Sequence, residues 1–236
     1  MNLEKRLESL EMIIGGIEEY LNLAESGLKL FKMTETFSMD GASNLESIRI
    51  ALLNIRKYLS VIEIMTSKDG AMLGGESYCN FAEFLSRLIN EIKRVYPASA
   101  DKIEFTDETD EPMLSFNPER MQILVYNIAR IYLLGSMGQK PKLKIRLYET
   151  DRKLFMEFKG ESTFFEKATE LDNCMFFVAK KIAEVMGFDY GEKKQKNTTR
   201  CMITIPKKED GSVAIREDLG ESEIDAKLAE IFFADL

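Results

Sequence analysis

Apolar side chains recur along the first thirty residues at alternating spacings of four and three: Leu3, Leu7, Leu10, Ile14, Ile17, Leu21, Ala24, Leu28 and Phe31. That is a heptad seam, and it predicts a long helix built to pack along its length. A break is expected at Met39-Asp40-Gly41-Ala42, followed by Ser43-Asn44-Leu45-Glu46, whose spacing reads as a capping box opening a second helix. The second seam runs through Leu45, Ile48, Leu52, Ile55, Leu59 and Ile62. Ile13, Tyr20, Ala51, Tyr58, Val61 and Met65 widen both stripes beyond what one hairpin covers. Two hairpins forming a four-helix bundle would cover it, so a homodimer through residues 1–68 is expected. The alternative is a hairpin packed on the downstream part of its own chain. Gly15-Gly16, in the middle of the first helix, should cost about 1 kcal/mol per glycine relative to alanine. A kink or the close approach of another backbone would explain the pair, as would tolerance within a well-packed helix.

Beyond a glycine-containing linker from Asp69 to Gly75, the pattern changes. Phe81, Phe84, Leu85, Leu88, Ile89, Ile92 and Val95 share a helical face that Pro97 ends. Short strands are predicted at KIEFT and PMLSF, then a strongly apolar helix at ERMQILVYNIARIYLLGS. Two alternating segments, KLKIRLYE and KLFMEFKG, form a natural antiparallel pair across Thr150-Asp151-Arg152. A helix from Cys174 to Met186, a stop at Gly187 and a closing strand CMITIP complete the order. This predicts an α+β fold, with several helices on one face of a mixed sheet. Three units follow: a helical hairpin over 1–70, an α+β sandwich over 76–207 and an acidic tail over 208–236. In the tail, Ser222 and Asp225 are spaced as an N-cap for a short helix carrying Ile224, Leu228, Ile231 and Phe232. So short a helix should dock, on its own α+β domain, on a partner, or in a cleft.

Composition narrows the chemistry. The chain has 236 residues, 45% hydrophobic and 31% charged, as an ordinary globular protein does. No apolar run reaches the roughly 18 residues of a membrane span and the first residues lack a signal-peptide core, so a cytoplasmic protein without membrane insertion is expected. The net charge is −8, and the tail, with nine acidic and three basic residues, supplies −6 of it, leaving −2. No basic stripe offsets this, which disfavours nucleic acid as a partner. Cys79, Cys174 and Cys201 have no metal-ligand spacing and read as reduced, buried thiols. The histidine count is zero. That removes imidazole acid–base chemistry and phosphohistidine at once.

From Phe81 to Pro206 the chain resembles the ATP-binding domain of sensor histidine kinases. ERMQILVYNIARIYLLGS matches the family's first conserved helix, while FFVAKKIAEVMG followed by TTRCMITIP matches its last helix and terminal strand. The hairpin upstream resembles the family's dimerisation hairpin. Its active-site letters depart. Where the family carries two asparagines four residues apart, the second binding magnesium, this chain has Asn127 and Ile131. Magnesium needs hard oxygen ligands, which isoleucine lacks. The adenine-binding Asp-x-Gly box is replaced by Phe158-Lys159-Gly160-Glu161. The phosphate-binding glycine run is replaced by Leu171-Asp172-Asn173-Cys174-Met175-Phe176, whose side chains would occupy the place of phosphate. The phosphoacceptor position aligns near Glu8, with the kink near Met12-Ile13.

The resemblance therefore implies a non-catalytic relative of the histidine kinases or of the histidine phosphotransferases, with no cofactor and no metal. Its hairpin would meet the receiver domain of a response regulator, or a kinase, through Glu8, Met12, Gly15, Gly16 and Glu19. Two alternatives stand beside it. One is a ligand-sensing module whose decayed pocket, near Asn127, Ile131, Lys159, Gly160, Asn173 and Met175, takes an apolar or purine-like molecule. The other is a residual ATP-binding, kinase-like protein.

Overall fold

The computed structural model describes residue 17 and residues 21–32, 39–66, 75–134, 143–161, 170–195, 198–207 and 224–233. Helix α1 covers residues 21–32 and α2 Met39–Thr66. The expected break at Met39–Ala42 is instead the first turn of α2, and the expected capping box lies inside the helix. The Ser47 hydroxyl donates to the Ser43 backbone carbonyl at 3.0 Å. Glu46 accepts from Arg49 and Lys32 at 2.6 and 3.1 Å, so helix-surface ion pairs take the carboxylate that capping would have used.

The second seam divides. Leu45 and Leu59 are buried and Leu52 is half-buried, with Leu21 of α1 packed against Leu59 and Leu52. Ile48, Ile55 and Ile62, again seven apart, are 49, 42 and 41% exposed. Buried Arg56 ties the two helices, donating to Glu25 of α1 at 2.5 Å and to the Asn22 amide oxygen at 2.7 Å.

Strand β1 (Ser77–Asn80) leads into α3 (Phe81–Val95). The Asn80 side chain accepts from the N–H groups of Ala82 and Glu83, capping the helix at its first turn. Its buried face carries Phe81, Phe84, Leu85, Leu88, Ile89 and Ile92, as the spacing predicts. Strands β2 (Ile103–Glu108) and β3 (Met113–Phe116) precede α4 (Pro118–Leu134). Strands β4 (Leu143–Glu149) and β5 (Lys153–Glu161) follow, then α5 (Glu170–Val185), β6 (Asp189–Gln195), β7 (Thr198–Pro206) and α6 (Ala226–Phe233).

Five strands form one sheet in the order β2-β4-β5-β7-β6, and among the described residues β1 pairs only with β3. The β2–β4 pair is parallel and the rest are antiparallel. The β4–β5 hairpin turns where expected, with the Thr150 N–H donating to the Lys153 carbonyl at 2.8 Å. Along β7, every second residue from Thr199 to Ile205 is buried, so one face of the sheet meets the helices and the other faces solvent. Helix α5 begins four residues before the expected Cys174 and ends at Val185, and Gly187 just beyond it takes a φ of +73° that suits a residue without a Cβ. Strands β1 and β6 have no clear alternation in sequence, since DYGEKKQ on the sheet edge carries one large apolar side chain.

The C-terminal helix α6 starts at Ala226, with the Asp225 carboxylate accepting from the Lys227 N–H at 2.8 Å. The expected Ser222 cap lies outside the described residues. Five of the eight residues of α6 are buried, and it contacts α2, α3 and α4 together. Helix α2 also contacts α5, and its Leu53 joins the main core. The hairpin thus packs on its own chain along one side, while Ile48 and Ile55 keep nearly half of their surface exposed.

Candidate functional site

Helix α4 is the centre of the molecule. The Asn117 side chain caps it, accepting from the Arg120 N–H at 2.9 Å, and every residue from Met121 to Leu133 is buried. An all-round apolar helix needs neighbours on every face. One face meets the sheet, where the Tyr132 hydroxyl lies 3.2 Å from the carbonyls of both Phe158 and Thr199. Burial drives the pKa of that hydroxyl well above the ordinary tyrosine range, so it stays a hydrogen-bond donor.

A second face carries Gln122, Tyr126 and Arg130, four residues apart, and holds α6. Gln122 donates to the Asp225 carbonyl at 2.7 Å and accepts from the Asp225 N–H at 3.2 Å. Tyr126 meets the rings of Phe232 and Phe233 with centroids 6.0 and 5.3 Å apart. Arg130 donates to the Phe232 carbonyl at 2.5 Å, placing a cation at the helix C-terminus. These three residues escaped the sequence reading. The available signal was polar Gln122 and Arg130 within an otherwise apolar helix, since buried polar groups require partners.

The remaining face bears Asn127 and Ile131, both fully buried. The Asn127 amide nitrogen turns back to the Ile123 carbonyl of its own helix at 2.8 Å, and its oxygen has no partner among the described residues. Ile131 contributes only hydrocarbon. Of the two side chains only Asn127 carries an oxygen that could reach a hard cation.

The other predicted residues divide between the two sides of the sheet. In β5, Phe158 and Gly160 are buried while Lys159 between them is exposed, opposite Lys144 on one side and Arg200 on the other. Lys159 therefore stands on the outer face, away from Asn127 and Ile131. Asn173 and Met175 lie in the first turns of α5, with their side chains outside the described residues. Glu8, Met12, Gly15, Gly16 and Glu19 also lie outside them. No cluster of acidic or thiol side chains suited to a metal is present among the described residues. Cys201 is a buried thiol whose pKa burial pushes up to about 12, so it is not a thiolate at neutral pH.

No protein-family model matches the sequence, and no curated protein sequence is significantly similar to it. Solved structures are. The chain superposes on the histidine kinase AdeS of Acinetobacter baumannii with a TM-score of 0.54 at 10% identity, over 85% of this chain and 96% of that one. Its fold is that of the histidine kinases. Full-length ShkA in complex with AMPPNP gives a TM-score of 0.63 at 12% identity, with 84% of this chain matched to 45% of ShkA. The likeness is one of fold, a mixed five-stranded sheet with helices packed on it. No helix among the described residues is long and apolar enough to cross a membrane.

Proposed function

We propose that this chain is a non-catalytic, dimeric signalling scaffold. Its hairpin binds the receiver domain of a response regulator, or a kinase, and alters two-component signalling by occupancy. The observation that carries the reading is the full burial of Ile131, one helical turn beyond Asn127, where the resemblance to the histidine kinases puts the magnesium ligand. The absence of any histidine from the chain supports it. Dimerisation is supported by the exposed row Ile48, Ile55 and Ile62, whose seven-residue spacing suits a second hairpin. The contact with the signalling partner is assigned to Glu8, Met12, Gly15, Gly16 and Glu19.

Isothermal titration with ATP, ADP and magnesium, with the solution mass taken on the same sample, tests the proposal. No nucleotide binding from a protein of twice the chain mass is the expected result. Micromolar binding would overturn it and favour a residual kinase-like protein.

A second reading, ligand sensing in the decayed pocket, draws on the partnerless Asn127 oxygen, a buried acceptor able to take one donor from an apolar or purine-like molecule. Thermal shifts with free purine bases test it: a rise in melting temperature that Asn127→Leu abolishes supports sensing, and no shift with any base removes it.

A further inference from the structure

A cleft of about 670 Å³ opens between β3, the end of β7 and the turn that follows α5. All four residues of β3 line it. Among the described strands β3 pairs only with β1, so the N–H and C=O groups alternating along its other edge have no strand partner. A free strand edge is a template for another strand, and folded proteins normally cover or blunt it. Here it lies beside open volume in the range of ligand sites.

Side chains set what could enter. Met113 and Val185 line the cleft from two different elements, and they are 40 and 39% exposed, which leaves apolar anchors open. Glu149 and Lys207, paired at 2.6 Å, neutralise each other. That leaves the lining carboxylates of Glu76, Asp110 and Glu111 against the single guanidinium of Arg120. Glu111 is also held at a φ of +45°, a left-handed conformation that side-chain-bearing residues avoid, two residues before β3. The surplus is negative, so the complementary occupant is positive.

The geometry points to strand addition: the cleft takes an extended segment of a partner protein that alternates lysine or arginine with aliphatic residues, hydrogen-bonded to the free edge of β3. Four or five residues of such a segment span roughly 13–17 Å, which matches the length of β3. This site is separate from the hairpin, and its occupancy does not depend on what the hairpin binds.

Fluorescence anisotropy on the full chain tests it, with labelled acetyl-Lys-Val-Lys-Val-Lys-amide as the probe and the Glu-Val-Glu-Val-Glu peptide as its counterpart. The lysine peptide is expected to bind at least tenfold tighter. Methylating the backbone nitrogens along one edge of the peptide should weaken binding at least tenfold, and methylating the other edge should not. Glu111→Lys and Met113→Arg, each on an exposed residue, should weaken binding at least fivefold with the melting temperature unchanged. Equal binding of the two methylated peptides, unchanged affinity in Glu111→Lys, or no binding of the lysine peptide up to millimolar concentration would overturn the assignment.

Discussion

Ile131 stands one helical turn beyond Asn127, and both side chains are sealed from solvent. Restoring the asparagine there would place a second amide among hydrocarbon, where an unpaired polar group costs about 1–3 kcal/mol. Ile131→Asn is therefore expected to lower stability in urea by about that amount and to give no magnesium-dependent affinity for ATP, as read by denaturation and calorimetry together. Glu149 offers a pH test at the same scale. Burial alone would raise its pKa, but the Lys207 ammonium and the Asp110 N–H outweigh burial and hold it below the ordinary glutamate value. A carboxyl depressed in the folded state contributes stability that is present above its unfolded pKa and lost as pH falls through its folded one. Glu149→Gln should be less stable than the parent by about 1 kcal/mol at pH 7, and the gap should close as urea midpoints are followed into acid below the folded pKa.

At the scale of the element, α6 decides how the hairpin and the α+β domain sit together. Eight residues make a helix too short to persist alone, so its stability comes from what it buries. Gln122 and Arg130 satisfy backbone groups at its two ends, and Lys227 and Glu230 reach Glu25 of α1 and Arg49 of α2 at 3.3 and 4.0 Å. Phe232 is fully buried, and Phe232→Ala should cost about 3–5 kcal/mol. The accompanying signature is faster amide exchange in α2 and in α3 together, because both helices rest on α6. Confinement of the change to α6 itself would show that α6 does not join them. This helix was legible in part. Ile224, Leu228, Ile231 and Phe232 mark its apolar stripe in the sequence, and Asp225 of the expected cap accepts from the Lys227 N–H, but its docking site could not be read locally.

At the scale of the whole molecule, the exposed isoleucines of α2 carry the prediction about assembly. Ile48, Ile55 and Ile62 recur every seventh residue on the side of the hairpin left open by α6 and the core. Ile48→Glu combined with Ile55→Glu should reduce the solution mass from two chains to one, by light scattering, and leave the far-ultraviolet spectrum unchanged. A parent that is already monomeric would remove the dimer from the proposed function.

Elements with a complete periodic pattern were fixed by the sequence alone. The buried faces of α3 and α4, the β4–β5 hairpin and the closing strand β7 follow from periods of 3.6 and 2, because a face that must be dry reveals itself residue by residue. The loss of histidine and the Asn127–Ile131 pairing are equally plain, since they are matters of residue identity. Tertiary structure decided the rest. Whether Ser43-x-x-Glu46 caps a helix or lies within one depends on competing ion pairs to Arg49 and Lys32. Which half of the α2 seam is buried depends on where α6 and α5 arrive. Lys159 is parted from Asn127 and Ile131 by the pleat of β5, and the β3 cleft joins chain segments far apart in sequence. Local pattern encodes which side of an element avoids water; which partner supplies that shelter is settled only when distant segments meet.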